Sequence, residues 1–399
     1  MGIETGIETA SHVNGSANIT PLSAKIVNIT LTENLKSKPK IGEMIFGEIK
    51  TDHMLIVNYD PRTGWSTPEI KPYGPLSIDP TSSCLQYGTS AFEGMKAYRG
   101  PDGTLRLFRP EQNMRRLARS TDRAALPPFD TDVLLELIKR LVDIDGEWVP
   151  DAPGYSLYIR PTIIGTRAAL GVAASDSATI YVILSPTGPY YNGDNNGIPL
   201  LALEKSVRAW PGGTGDYKLG VNYSPGFVAQ RIAMKQGYHQ ILWLFGEENK
   251  ITEAGAMNFF VVLKRDDGDF DVKTPRLDGT ILPGVTRSSC LELLQAHTLR
   301  KTELPSIPPT QRLHTSECTL TVHDLITWSA EGKLVETFVV GTAVIVEHVS
   351  QIGFQGKDLV VPTVGLGPVG KALRERILDI QTGKLEWDNW SVVIKEAKQ

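Results

Sequence analysis

The chain has 399 residues, a formal net charge of −4, 41% hydrophobic and 22% charged residues, and a sequence pI near 6.0. That is ordinary globular composition with chain enough for two or three domains, and it argues against a general nucleic-acid binder. No apolar run is long enough to cross a membrane. Cys84, Cys290 and Cys318 are scattered, and the seven histidines show no HxH or HExxH spacing, so neither a disulfide framework nor a metal site is expected.

In chain order, residues 1–24 are polar and read as a flexible tail. Glu4 and Glu8 stand there and Arg62 is the first arginine. Neither a mitochondrial presequence nor a signal core is expected, which favours the cytoplasm over the mitochondrion. Alternation from Ile41 to Pro72 predicts strands and hairpins. Residues 80–100 are less regular, with Tyr87, Phe92 and Tyr98 among small residues, and LRLFRP reads as a strand ending at Pro110. Amphipathic helices are predicted over 111–125 and 131–143, the second capped by Asp130. Strands follow at 155–161 and 178–186. The run TGPYYNGDNNGIP, 187–199, holds glycine, asparagine and proline throughout. It is taken as a linker between a smaller N-terminal domain, 25–186, and a larger C-terminal domain, 200–399. The second half has α/β texture. It offers strands at 200–205 and 239–246, a strand in the later part of 251–265, and two strands in 334–349 broken at Gly341. Helices are predicted over 226–237, 286–296, 322–332 and 367–383, with Gly383 past the end of the last.

The stretch Arg208–Phe227, RAWPGGTGDYKLGVNYSPGF, holds five glycines around a single lysine, Lys218, with Tyr223 five residues on. Glycine lets backbone approach a ligand closely. The residues alone leave two readings: an exposed turn with a solvated lysine, or a loop that presents Lys218. A P-loop is excluded because Tyr217 precedes the lysine and Leu219 follows it. GxSxG is absent. What remains is chemistry suited to a carbonyl cofactor. A lysine enclosed by apolar groups becomes a nucleophile. Glu253 lies 35 residues downstream as a candidate partner for a pyridine nitrogen. Gly284-Val285-Thr286 opens a helix, a ready anion site, and Gly341-Thr342-Ala343 offers a second set of backbone donors.

The strings YGTSAFEGMKAYRG, RPEQNMRRL, SLYIRPTIIG, GGTGDYKLGVNY, ITEAGAMNFF, LDGTILPGVTR and VVGTA occur in this order. Together they resemble the branched-chain amino-acid aminotransferases, eukaryotic and closest to fungal members, over about residues 40–390. The resemblance implies a two-domain α/β (α+β) enzyme of fold type IV. Pyridoxal 5′-phosphate would lie between a small N-terminal α/β domain and a larger C-terminal one. It implies a homodimer that moves the amino group of L-leucine, L-isoleucine or L-valine to 2-oxoglutarate. By resemblance, Lys218 matches the Schiff-base lysine, Tyr223 the phenolate partner and Glu253 the ring-nitrogen acid. Arg116, with Arg115 as runner-up, matches the phosphate-binding arginine, joined by Val285, Thr286 and Thr342. Substrate contacts are implied at Ala343, at Tyr158 and Arg160 of a partner subunit, and at Tyr87 and Phe92 as aromatic walls. Departures are Val221, where many relatives carry glycine, Ala256, where many carry threonine, and Val344 and Glu347 in place of a CxxC pair. The first two leave substrate preference open. A transaminase for another apolar amino acid, or a lyase of the same fold, is the alternative.

Overall fold

The computed structural model describes residues 19–191 and 197–394. The predicted tail lies outside them for residues 1–18, as does the predicted linker for 192–196. Two mixed sheets and seven helices make up the described chain.

The first half builds β1 (Asn28–Ile29), β2 (His53–Asp60), β3 (Gly64–Trp65), β4 (Glu69–Pro72), β5 (Ser90–Phe92), β6 (Met95–Arg99), β7 (Leu105–Phe108), β8 (Ser156–Gly165) and β9 (Ala178–Thr187). Between them stand α1 (Ser83–Tyr87), α2 (Pro110–Arg123) and α3 (Thr131–Ile144). The strand order is β1-β4-β2-β9-β8-β6-β7, with β3 on β2 and β5 on β8. Met114 and Leu117 of α2 and Leu134, Leu137, Ile138 and Leu141 of α3 bury one stripe against Leu55, Met95, Leu107 and Ile159 of the sheet. That stripe is the i, i+3, i+4, i+7 pattern of the sequence. Asp130 caps α3, accepting from the Asp132 and Val133 N–H groups.

The second half builds β10 (Ile198–Leu203), α4 (Phe227–Lys235), β11 (Gln240–Phe245), β12 (Lys250–Ala254), β13 (Asn258–Lys264), β14 (Phe270–Pro275), α5 (Val285–Thr298), β15 (Leu313–Cys318), α6 (Val322–Ala330), β16 (Leu334–Gly341), β17 (Ile345–Phe354), β18 (Lys357–Val360) and α7 (Pro368–Gln381). Its order is β12-β11-β10-β17-β16-β13-β14-β15, with β18 on β17. β13 is buried on both faces. Phe260 and Val262 pack toward α5 and α7, while Phe259, Val261 and Leu263 pack toward α6, as the period-two pleat requires. The chain then returns, and β19 (Ser391–Val393) pairs antiparallel with β7 of the first sheet.

Two stretches depart from expectation. No strand forms over 41–52; Gly42 and Gly47 take φ of 98° and 75°, and Ile41 and Ile45 stay exposed without a sheet to cover them. β14 and β15 are not expected from the sequence, because FDVKTP and LHTSEC carry mostly polar residues and pair with each other in parallel near a sheet edge.

Candidate active site

Lys218 lies in the loop between β10 and α4. The loop is clamped on both sides: the Lys218 N–H donates to Ser120 Oγ of α2 at 2.9 Å, and Phe92 N–H of β5 donates to the Lys218 carbonyl at 3.1 Å. Gly215 cannot be larger, since a Cβ there would collide with Ala209 and the Thr280 backbone. The lysine is therefore delivered to a fixed place rather than to solvent. Its Nζ donates to Tyr223 Oη at 3.2 Å and stands 4.7 Å from the Phe92 ring centroid.

That amine faces a cavity of about 330 Å³, within the range typical of small-molecule sites. Arg116, Val285, Thr286, Thr342, Ala343, Phe92, Tyr158, Arg160 and Tyr223 line the cavity with Lys218, so residues far apart in the chain converge. Arg116 comes from α2. Its Nε and Nη2 donate to Glu93 at 2.6 and 2.9 Å, and its Nη1 to the Pro283 carbonyl at 2.9 Å. That places the guanidinium at the start of α5. No side chain caps α5, whose first intrahelical bond runs from Ser288 N–H to the Gly284 carbonyl. The Val285 and Thr286 N–H groups are left free at a helix N-terminus beside an arginine, an arrangement that binds anions. Across the cavity the hairpin between β16 and β17 turns at 342–344 and leaves through Ile345 at φ 64°. A β-branched residue there is strained, and such strain clusters at functional sites.

Glu253 of β12 does not line the cavity but lies behind its wall. Leu282 N–H donates to its Oε1 at 2.7 Å, and Arg208 Nε sits 2.9 Å from its Oε2, with side chains only 4% and 2% exposed. Burial raises the Glu253 carboxyl above its ordinary range, although Arg208 and the Leu282 N–H pull against it. For Glu93 burial also raises, but Arg116 and its neighbours outweigh it and hold that carboxyl low. Two acids flanking one lysine are thus driven in opposite directions, a common mark of a functional site.

Some expected residues fall elsewhere. Tyr87 lies outside the cavity on α1, exposed, its hydroxyl donating to the Leu170 carbonyl. Arg115 points outward on α2, one position round the helix from the cavity-lining Arg116. Tyr158 and Arg160 line the cavity of their own chain: β8 runs beside β6 and β5 and delivers both side chains there without a second subunit. Ala256 lines the cavity, whereas Val221 is exposed and lies against Gly88. Sequence reasoning gives no role to Arg208, Glu93, Asn258, Phe46, Tyr190 or Tyr191. The two tyrosines sit inside the presumed linker, and yet Phe46 meets Tyr158 and Tyr190 edge-on at 4.7 and 5.1 Å.

Residues 90–322 match the family described as amino-transferase class IV. The chain belongs to the class IV aminotransferases. It is 44% identical over 375 residues to the mitochondrial branched-chain-amino-acid aminotransferase of Schizosaccharomyces pombe, covering 93% of this chain and 86% of that one. It is 44% identical over 388 residues to the cytosolic enzyme of Saccharomyces cerevisiae, covering 95% and 99%. Among solved structures, the T.th. branched-chain amino acid aminotransferase with pyridoxamine 5′-phosphate superposes at a TM-score of 0.65 with 26% identity, covering 86% of this chain and 98% of that chain. The class IV fold is thus the frame that brings the lysine, the buried acid and the helix start together.

Proposed function

We propose that this aminotransferase transfers the amino group of L-leucine, L-isoleucine or L-valine to 2-oxoglutarate, with pyridoxal 5′-phosphate held in the cavity at Lys218. The observation that carries the reading is the single cavity shared by a lysine amine, a free helix N-terminus with its arginine, and a flanking buried acid. The donor set suits the cofactor. Arg116 and the Val285 and Thr286 N–H groups would hold the phosphate, with Thr342 from the opposite wall. Tyr223 Oη would meet the phenolate oxygen, and Glu253, the acid behind the cavity wall, would partner the ring nitrogen. When bound, the cofactor supplies an electron sink for negative charge on the substrate Cα.

The protein's own groups do the rest. Lys218 Nζ would hold the cofactor and, as a free amine, would carry the substrate Cα proton; Tyr223 Oη, 3.2 Å away, keeps it in place. Glu253, paired with Arg208, would hold the proton on the ring nitrogen. The Thr342–Ala343 turn and Tyr158 Oη, itself accepting from Arg160 Nη2 at 3.1 Å, take the substrate carboxylate. Phe46, Phe92, Tyr190 and Met257 give an apolar wall for a branched side chain. Arg160 Nε is buried without a partner among the described residues, a donor suited to the second carboxylate of glutamate. One cavity then serves both half-reactions, and kinetics are ping-pong.

A substrate panel of L-Leu, L-Ile, L-Val and L-Phe with 2-oxoglutarate, and of L-Glu with a branched 2-oxo acid, tests the assignment. Parallel double-reciprocal lines for the branched amino acids are expected, and turnover of L-Phe but not L-Leu would overturn it. The assembly is proposed to be a homodimer, so light scattering should give twice the 43.7 kDa chain mass. Relatives are named both mitochondrial and cytosolic. The acidic, arginine-free composition ahead of Arg62 supports the cytosol, which imaging of a C-terminally tagged full chain tests.

A further inference from the structure

Lys96 of β6 is 4% exposed, and it forms no ion pair among the described residues. Its Nζ makes one hydrogen bond, to the carbonyl of Ala343 at 2.8 Å. A buried amine normally finds several acceptors or an acid, so this single bond to a distant turn calls for a reason. Lys96 lines a second cavity, about 510 Å³, that lies behind the substrate turn; Ala343 and Val344 line both cavities, while Lys218 and Thr342 line only the first. The Ala343 carbonyl is therefore drawn toward the second cavity. The described chain has no cis peptide, and in a trans peptide the carbonyl and the following N–H point opposite ways. Holding the Ala343 carbonyl thus turns the Val344 N–H away from Lys96. The N–H groups of Thr342, Ala343 and Val344 donate to no other backbone oxygen among the described residues, so they are available to a ligand. The turn is closed at its base by the Gly341–Ile345 pair of the β16–β17 ladder, and among the described residues the Lys96 bond is the one side-chain hydrogen bond that reaches residues 342–344.

We infer that Lys96 is a positioning residue for the substrate carboxylate: through the Ala343 carbonyl it fixes the 342–344 turn with its N–H groups facing the substrate. This rests on the assignment of that turn to the carboxylate. Lys96 touches neither cofactor nor substrate. Burial and the nearby Arg374 push its amine down to about 7, and a lysine donates to a carbonyl in either charge state, so the contact persists through neutral pH.

The test is Lys96→Met in the full-length holoenzyme, with two amine donors compared: L-leucine, and 3-methylbutylamine, which is leucine without its carboxylate. The variant should retain the bound cofactor's absorption and lose about tenfold in kcat/KM for L-leucine, the worth of one net hydrogen bond. The loss should appear mainly in KM, and 2-oxoglutarate should suffer likewise. The single-turnover rate with 3-methylbutylamine should be unchanged. Equal losses for amine and amino acid, or an unchanged KM for L-leucine, overturn the inference. Should Lys96→Met not fold, Lys96→Arg keeps a donor in the same roomy cavity. A leucine KM near that of the parent supports the inference, and a tenfold rise with intact cofactor absorption refutes it. Failure of the parent enzyme to use L-leucine would instead sink the substrate assignment, so the two failures are distinguishable.

Discussion

The Arg208–Glu253 pair offers the sharpest perturbation. Arg208→Met keeps the bulk of the side chain and removes its charge. Glu253 would then retain Leu282 N–H at 2.7 Å and a long contact from Asn258 Nδ2 at 3.4 Å, with Lys218 and Arg116 left to act on it only at longer range. Breaking a buried pair by deleting one partner costs about 3–5 kcal/mol. That cost falls on the ionised carboxylate, so the Glu253 carboxyl moves further above its ordinary range, where burial already holds it. The ionised acid is the active form, so the acidic limb of the kcat profile should move to higher pH. Activity at pH 7 should fall by about tenfold or more and recover as the pH rises. The assay is the pH dependence of L-leucine turnover. A double-mutant cycle with Glu253→Gln separates this effect from lost packing. If Arg208 acts through Glu253, adding Arg208→Met to Glu253→Gln costs little more than the single change. An acidic limb that stays in place, with pH 7 activity within about threefold of the parent, would refute the reasoning.

Two further outcomes follow from the same structure. A Cβ on Gly94 would collide with the Tyr158 hydroxyl, so Gly94→Ala should push Tyr158 out of the cavity; overpacking of about 1–3 kcal/mol predicts a tenfold or greater loss of kcat/KM for L-leucine, read by steady-state kinetics. Glu336 of β16 is fully buried and accepts from the Val369 and Gly370 N–H groups at the start of α7, and burial pushes its carboxyl up to about 7. A carboxyl raised on folding contributes its stability below its ordinary pKa and loses it as pH rises toward 7. The parent protein should therefore lose up to about 3 kcal/mol between pH 4.5 and 7. Glu336→Gln, which cannot ionise, should flatten that slope in urea unfolding series, and an unchanged slope counts against it.

How far the sequence carries can be seen residue by residue. α2, α3 and α7 are legible because each repeats its apolar residues at helical spacing against one sheet face. β8, β9 and the β16–β17 pair are legible from near-continuous apolar runs. β14 and β15 are not, because strands at or next to a sheet edge that carry polar residues give little periodic signal. Nor is the return of β19 to the first sheet, since pairing between strands so distant in the chain leaves no local trace. The same divide runs through the site. Lys218, Tyr223 and Arg116 stand in recognisable strings. Arg208 reads only as the edge of a glycine-rich stretch, because what makes it matter is a buried acid far along the chain. Tyr190 and Tyr191 are hidden by neighbours that read as a linker, and Tyr158 and Arg160 are expected from another subunit, whereas the β8 register brings them to their own cavity.

The central claim is that Lys218 carries the cofactor. Reduction of the purified holoenzyme with sodium borohydride, followed by proteolysis and mass spectrometry, tests it directly. The account predicts a phosphopyridoxyl adduct on the peptide that holds Lys218, with activity lost in step, and no adduct in Lys218→Ala. An adduct on another lysine, or full turnover by Lys218→Ala, would contradict it.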